Sequence, residues 1–143
     1  MRNMRVSDAS EVITKASPYS VADTVSRFEA VITAKDMKVF AVINHSAEAR
    51  HDGMELRDTD VVIFGNPTSG TPVMDCAPLF ALELPLKVLI WNDDGRTRVS
   101  YTAPAALAAR YGLSHEVACI LEGIEPLTDA VNLYNTNGEE PPW

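Results

Sequence analysis

The sequence has little cysteine, a shortage of basic residues and no long apolar run. Its two cysteines, Cys76 and Cys119, lie far apart and form no Cys-x-x-Cys pair. The sequence therefore predicts reduced thiols and no disulfide framework. The 12 Lys and Arg residues against 20 Asp and Glu residues give a net charge of −8. Nucleic acid and anionic membranes both require a basic surface, so we expect neither partner.

The other absences concern targeting and metals. Every apolar run falls short of the roughly 20 residues that a membrane-spanning helix needs, and the start MRNMRVSDAS lacks the apolar segment of a signal peptide. These features predict a cytoplasmic, soluble protein. The 3 histidines are dispersed without the spacing of a zinc site, so we expect no metal. No cofactor fingerprint is present, and the sequence leaves any cofactor unknown.

The remaining composition suits one folded domain. The chain has 143 residues, of which 46% are apolar, enough for a single continuous core. We expect one domain over residues 1–143, with its core at 12–130 and a polar tail at 135–143. Periodicity and turn signals predict the order β-α-β-β-α-β-β-α-α. This order indicates an α+β domain with a mostly antiparallel, curved sheet of about four to five strands and helices on one face.

Two stretches carry the clearest local signals. SVADTVSRFEAVITAKDM predicts a helix, because Ser20 can cap its start and apolar residues recur on one face. LPLKVLIWNDDGRTRVSYTAP predicts a hairpin with strands at 86–92 and 96–102, because Asp94-Gly95 supplies the positive φ of a tight turn. The polar link SAEARHDGMELR predicts an irregular segment outside the core.

Three stretches in this chain carry a family resemblance: SVADTVSRFEAVITAKDMKVFAVINH, INHSAEARHDGMELRDTDVVIFGNPTSGTPVM and ALELPLKVLIWNDDGRTRVSYTAPAALAARYGL. Together they resemble the bacterial and archaeal family called domain of unknown function 302, over most of the chain from Val12 to Ala130. The resemblance implies a small α+β domain, similar in fold to TATA-box-binding proteins, dimeric and without an assigned activity. Similarity of fold carries no DNA-binding function.

The chain departs from the family pattern at two positions. The family has Asp-His before the first loop and Asp before Leu-Pro-Leu-Lys, whereas this chain has Asn44-His45 and Glu83-Leu84-Pro85. If the missing aspartate orients the imidazole in the family, this chain lacks that support.

The segment FGNPTSGTPVM predicts a loop between a strand and a helix. Its glycines permit backbone geometries that aim N–H groups inward, and its hydroxyls add donors, so the loop can hold a carboxylate or phosphate. The candidate ligand-binding residues are Gly65, Asn66, Thr68, Ser69, Gly70 and Thr71. The alternative is a strand-to-helix corner with capping hydroxyls. The lysine of a Walker A loop is missing.

His45 is the candidate catalytic residue. It extends an alternating strand to its end, where a sheet can open into a pocket, and its side chain titrates near neutral pH. The alternative is a structural histidine bonded to the backbone. A nucleophile pair of His45 with Cys76 is a further possibility. Against that pair, we expect Cys76 and Cys119 to be buried among apolar helix residues and slow to react.

Three other residues invite structural interpretations. Glu83 is flanked by leucines, which predicts a buried carboxylate in an ion pair with Lys87 or Arg98. We expect the side chains of Trp91 and Tyr101 to pack in the core or on a dimer surface.

These patterns predict a domain that binds a small molecule or anion as a homodimer, with a site near His45 and the 65–71 loop. Two alternatives stay open: a hydrolase- or isomerase-type enzyme with His45 as general base, and a protein-interaction module that uses a sheet edge. His45 ends one predicted strand and Gly65 ends the next. If these two strands pair as a hairpin, the two residues lie at opposite ends of it. A shared site then needs two subunits or an intervening strand.

Overall fold

The computed structural model describes residues 11–132, so the tail predicted at 135–143 lies outside the described residues. Within that range, five strands form one antiparallel sheet in the order β1-β5-β4-β3-β2. The strands are β1 (Val12–Ser17), β2 (Lys38–Asn44), β3 (Thr59–Gly65), β4 (Leu86–Asp93) and β5 (Arg96–Thr102). The predicted α+β class and antiparallel sheet are confirmed.

Helices fill most of the connections between strands. They are α1 (Val21–Ala34), α2 (His45–His51), α3 (Pro67–Cys76), a 3-10 helix (Pro78–Glu83), α4 (Pro104–Tyr111), α5 (His115–Leu121) and α6 (Ile124–Ala130). Among the described residues, no helix is both long enough and apolar enough to cross a membrane.

The main core lies between one face of the sheet and α1 with α6. Ser20 caps α1 as predicted, because its Oγ accepts a hydrogen bond from the Asp23 N–H at 3.1 Å. Phe28 of α1 meets Phe64 of β3 edge to face, with ring centroids 5.1 Å apart. The buried members of this core are Val21, Val25, Phe28, Val31, Ile32, Val62, Phe64, Val88, Ile90, Val99, Tyr101, Ile124, Leu127 and Val131.

A second, smaller cluster of buried side chains joins α3, the 3-10 helix, α4 and α5. Its members are Val73, Phe80, Leu107 and Leu121. Pro78 ends the apolar segment begun by α3, as its missing N–H predicts, and starts the 3-10 helix. The two clusters share the flanking residue Leu86. The space between them is the cavity described below.

The predicted hairpin is confirmed, with Asp94 at φ 53° and Gly95 at φ 90° in its turn. The predicted irregular link between β2 and β3 is wrong in its first part, which forms α2. Asn44 explains the difference, because its Oδ1 accepts a hydrogen bond from the Ala47 N–H at 2.9 Å and so caps a helix start. The hydroxyl of Ser46 accepts from the Thr59 N–H at 3.2 Å, which fastens α2 to β3.

Candidate functional site

The register of β2 against β3 separates the predicted site residues. Lys38 lies opposite Gly65, and Asn44 lies opposite Asp60. His45 follows Asn44 directly, so it lies at the opposite end of the strand pair from the 65–71 loop. Six residues at about 3.4 Å each put the two ends about 20 Å apart. Within one chain, His45 and the loop therefore form no common site.

His45 is the exposed first residue of α2. The expectation that it ends a strand is wrong, because β2 stops at Asn44 and the Asn44 cap turns the chain into a helix. Its charge acts to lower the pKa of Asp60. Within residues 11–132 no hydrogen bond joins His45 to Cys76, so the proposed nucleophile pair has no support in one chain.

Asp60 is a buried carboxylate that the sequence analysis missed. It lies on the core-facing side of β3, with 9% of its surface exposed. Burial raises its pKa, Asp58 adds to the rise, and His45 opposes it. The signal in the sequence was the alternation in DTDVVIFG, which places Asp60 in register with Val62 and Phe64.

The 65–71 loop becomes the start of α3, and its N–H groups are already used. Asn66 Oδ1 accepts from the Thr68 N–H at 3.0 Å, and the Asn66 carbonyl accepts from the Gly70 N–H at 2.8 Å. The same carbonyl accepts from the Ser69 N–H, and Pro67 has no N–H to offer. The backbone therefore follows the alternative interpretation, a capped corner, and forms no open cradle of N–H groups.

The loop nevertheless borders the principal cavity of the described residues, with a volume of about 550 Å³. Thr68 and Thr71 are exposed and lie outside its lining. One end is polar, at the close of α1 and the start of α3, where it is lined by Lys35, Asn66 and Ser69. The lining is otherwise apolar apart from glycine, and includes Met37, Val73, Leu84, Leu86, Ile120, Leu121, Ile124, Pro126, Leu127 and Ala130.

The polar end of the cavity keeps donors available. Within residues 11–132, Lys35 forms no ion pair, and neither the Ser69 hydroxyl nor the Asn66 side-chain N–H₂ donates a hydrogen bond. The sequence analysis named Asn66 and Ser69 but missed Lys35 and the apolar wall, which come from segments far apart in the sequence. This arrangement can receive a molecule with an apolar body and an acceptor or anionic end.

Comparison with known sequences places the chain in a family. The sequence profile described as "Domain of unknown function DUF302" matches residues 13–131. The chain belongs to the DUF302 family. A crystal structure of an uncharacterized conserved DUF302 protein from Bacillus stearothermophilus is similar, with a TM-score of 0.74 and 17% identity over 85% of this chain and 95% of that one. At that identity the likeness shows the shared fold.

The DUF302 domain also matches parts of larger curated proteins. It is 38% identical over 112 residues to "Fluoride-specific ion channel FluC 1" of Brucella suis biovar 1 (strain 1330), a match that covers 76% of this chain and 44% of that protein. The same identity and coverage of this chain hold for the protein of that name from Brucella abortus biovar 1 (strain 9-941), of which 42% is covered. The chain thus spans less than half the length of these relatives.

The cysteines of the DUF302 domain differ from expectation. Both are free, but the prediction that they are buried is wrong, because Cys76 and Cys119 are exposed. Helices α3 and α5 turn only Val73 and Leu121 fully inward, which leaves the thiols on their outer faces. Cys119 Sγ lies 3.6 Å from His115 Nε2, one helical turn away. Within residues 11–132, no three histidine, cysteine or acidic side chains are grouped to hold a metal.

Glu83 of the DUF302 domain has a different partner from the predicted ones. It makes no ion pair with Lys87 or Arg98 within the described range, and Arg98 instead pairs with Asp93 at 3.2 Å. Glu83 lies in the 3-10 helix, before the chain turns into β4, so the spacing to Lys87 is not helical. Its carboxylate accepts a hydrogen bond from the Tyr111 hydroxyl at 2.6 Å.

The two aromatic side chains of β4 and β5 lie on opposite faces of the sheet. Tyr101 is in the main core, as one of the predicted alternatives has it. Trp91 is half-buried on the other face, where its Nε1–H donates to Ser100 Oγ at 2.9 Å.

Proposed function

We propose that this DUF302 domain binds a small amphipathic molecule whose apolar body fills the cavity and whose anionic group lies beside Lys35. The observation that carries the proposal is the cavity of about 550 Å³ between the two hydrophobic clusters, with its polar side chains at one end. Ligand pockets of soluble proteins are typically about 300–1,000 Å³, mostly apolar and furnished with a few polar groups. Lys35, Asn66 and Ser69 are such groups.

The anionic end follows from the available donors. Lys35 contributes a positive charge without an ion-pair partner in residues 11–132, and the Ser69 and Asn66 side chains can each donate a hydrogen bond. Among residues 11–132, no carboxylate side chain lines the cavity. A carboxylate, sulfonate or phosphate therefore suits this end better than an amine. We infer side-chain recognition rather than backbone recognition, since the N–H groups of Thr68, Ser69 and Gly70 are bonded within the helix start.

Binding accounts for the site better than catalysis does. A general base must reach the reacting atom, directly or through one water. His45 is about 20 Å from the loop in its own chain, and Cys76 is not hydrogen-bonded to it. We further propose that the domain works as a homodimer, because β2 is a sheet edge with exposed apolar side chains.

The test compares sodium octanoate with 1-octanol, which share an apolar chain and differ in charge. Amide NMR titration of the full chain should show octanoate binding more tightly, with shifts near Ser69 and Leu127. Lys35→Met should remove most of that preference and leave octanol binding unchanged. Ala130→Phe, which fills the apolar end, should weaken both ligands. Ala105→Phe, on an exposed helical position outside the cavity, is the matched control.

Two results would contradict the proposal. One is no binding of either ligand at millimolar concentration. The other is equal weakening by Ala130→Phe and Ala105→Phe, since that would mean the cavity is not where the ligand binds.

A second candidate function rests on the 38% identity with parts of proteins named as fluoride-specific ion channels. We propose that the domain responds to fluoride or acts beside a channel of that kind. Titration with sodium fluoride, against sodium chloride at the same ionic strength, tests the first form. Amide shifts seen only with fluoride would support it, and identical spectra would exclude a direct response.

A further inference from the structure

The wall of the cavity beside Lys35 is made of aliphatic side chains. Within the described part of the chain, no phenylalanine, tyrosine or tryptophan lines the cavity. The rings of the two hydrophobic clusters instead meet each other edge to face, Phe28 with Phe64 and Phe80 with Tyr111. Aromatic ligands gain affinity from rings that they stack on or meet edge to face. A planar ligand ring finds no such partner here, whereas a flexible aliphatic chain adapts to leucine, isoleucine and methionine side chains.

The cavity is a groove with a buried floor and an exposed rim. The floor includes Val73, Leu121 and Leu127, of which 0%, 3% and 8% of the surface is exposed. Lys35 and Ile120 belong to the rim, since both line the cavity and are exposed. An ionised group beside Lys35 therefore stays in contact with water, which avoids most of the cost of burying a charge. An aliphatic chain on the floor gains about fourfold in affinity for each methylene group that leaves water.

We propose that the cavity takes an unbranched aliphatic monocarboxylic acid, that is, a free fatty acid, with its carboxylate at Lys35 and its chain along the apolar floor. This inference rests on the ligand-binding function proposed above and narrows the ligand to one chemical class. It sets this class apart from aromatic acids, which share the charge, and from alkyl phosphates, which share the chain.

The polar end of the cavity suits a carboxylate better than a phosphate. Among residues 11–132, Lys35 is the single cationic side chain of the lining, and Asn66 and Ser69 add neutral donors. A carboxylate carries one negative charge, whereas a phosphate monoester carries about −1.5 to −2 at neutral pH. The additional charge of the phosphate would lack a partner in a chain whose net charge is −8. The matching head group is therefore a monoanion.

The volume of the cavity sets the length of the chain. A methylene group is similar in size to a water molecule, which takes about 30 Å³ in the liquid. The cavity of about 550 Å³ therefore holds at most about 18 non-hydrogen atoms. With its two oxygens counted, an acid of about 10–16 carbons fills between two thirds and all of this space. Octanoate leaves more of the floor uncovered, so longer acids should bind more tightly.

Titrations with matched ligands test the chemical class. Amide NMR of the full chain, below the concentration at which each compound forms micelles, should show affinity rising about fourfold per methylene from octanoate through decanoate to dodecanoate. para-Propylbenzoate has more carbons than octanoate but should bind about two- to tenfold more weakly, because its ring finds no aromatic partner. Decyl phosphate has a longer alkyl chain than decanoate but should bind about two- to fivefold more weakly, because part of its charge is unpaired. Reversal of either order would overturn the assignment to fatty acids.

A shortened cavity tests whether its wall sets the chain length. Ala130 lines the apolar end, so Ala130→Phe should weaken dodecanoate more than octanoate and flatten the rise of affinity with chain length. Ala105→Phe, at the exposed helical position outside the cavity, is the matched control and should leave that rise unchanged. A full rise that persists in Ala130→Phe would mean that the chain lies elsewhere on the protein, and would overturn the inference.

The outcomes separate this inference from the proposed function. Octanoate that binds in the cavity but no more tightly than para-propylbenzoate overturns the fatty-acid class and leaves an amphipathic ligand standing. Failure of every one of these acids and of 1-octanol to bind at millimolar concentration overturns the proposed function, and the fatty-acid class with it.

Discussion

The hydroxyl of Tyr111 donates a hydrogen bond to the carboxylate of Glu83 over 2.6 Å, from the end of α4 to the end of the 3-10 helix. The bond raises the pKa of Tyr111 above its ordinary value of 10.0, and desolvation adds to the rise. The ring of the same tyrosine packs edge to face on Phe80. The pair therefore joins two elements of the second cluster.

We expect Glu83→Gln to lower the pKa of Tyr111 toward its ordinary value and to lower the melting temperature at pH 7. The folded state holds the Tyr111 proton more tightly than the unfolded chain does. The stabilisation is therefore full below pH 10 and is lost as the pH rises through the raised pKa. Tyrosinate absorbance measures the titration, and Tyr111→Phe assigns it. An unchanged titration in Glu83→Gln would show that the bond is absent in solution.

Most carboxylates in folded proteins stabilise the fold when they ionise, and Asp60 should do the opposite. Burial raises its pKa above 3.8, so it destabilises the fold as the pH rises and it ionises. Asp60→Asn should be more stable than the wild type at pH 7, with the difference shrinking toward pH 3. Urea titrations at both pH values measure it, with Asp75→Asn, at an exposed position away from Asp60, as control. A wild type that is more stable at pH 7 would contradict this.

Gly70 lies inside α3, where glycine lowers helix stability. A Cβ built there meets Leu84 Cδ1 at 3.7 Å, an ordinary contact. Gly70→Ala should therefore raise the free energy of unfolding by about 0.5–1 kcal/mol. Urea denaturation followed by circular dichroism measures the change. Destabilisation would mean that α3 packs more closely against the 3-10 helix than the structure indicates.

Phe64 is fully buried against Phe28 at the centre of the main core. Phe64→Ala should cost about 3–5 kcal/mol, because it removes a ring and leaves a cavity. Leu79→Ala is the matched control, since Leu79 is 73% exposed, and should change stability by no more than about 0.5 kcal/mol. Similar losses for the two variants would place the core elsewhere.

Both thiols should react in the native state, because Cys76 and Cys119 are exposed. We expect a colorimetric disulfide reagent to titrate both thiols of each chain without denaturant. His115→Ala should slow the reaction of Cys119 relative to that of Cys76, as it removes the ring at 3.6 Å. Labelling only after denaturation would restore the interpretation of buried, inert cysteines.

The sequence by itself determined the elements whose signals are local. Ser20 as a helix cap and Asp94-Gly95 as a turn each act on a few neighbouring residues, so a short stretch of sequence is enough to predict their effect. Helix α2 was missed for the same kind of reason. Its cap, Asn44, directly follows a strand, and the alternation of that strand concealed the helix start.

Only the tertiary structure decided the site. The register of β2 on β3 separated His45 from Gly65, and register depends on which strands meet rather than on either strand alone. The cavity joins Lys35 at the end of α1 to Ser69 in α3 and Leu127 in α6, residues whose neighbourhood no local pattern encodes. The exposure of Cys76 and Cys119 also depends on the tertiary structure. The sequence of a helix identifies its apolar residues, but the elements that pack against the helix determine which of its faces is buried.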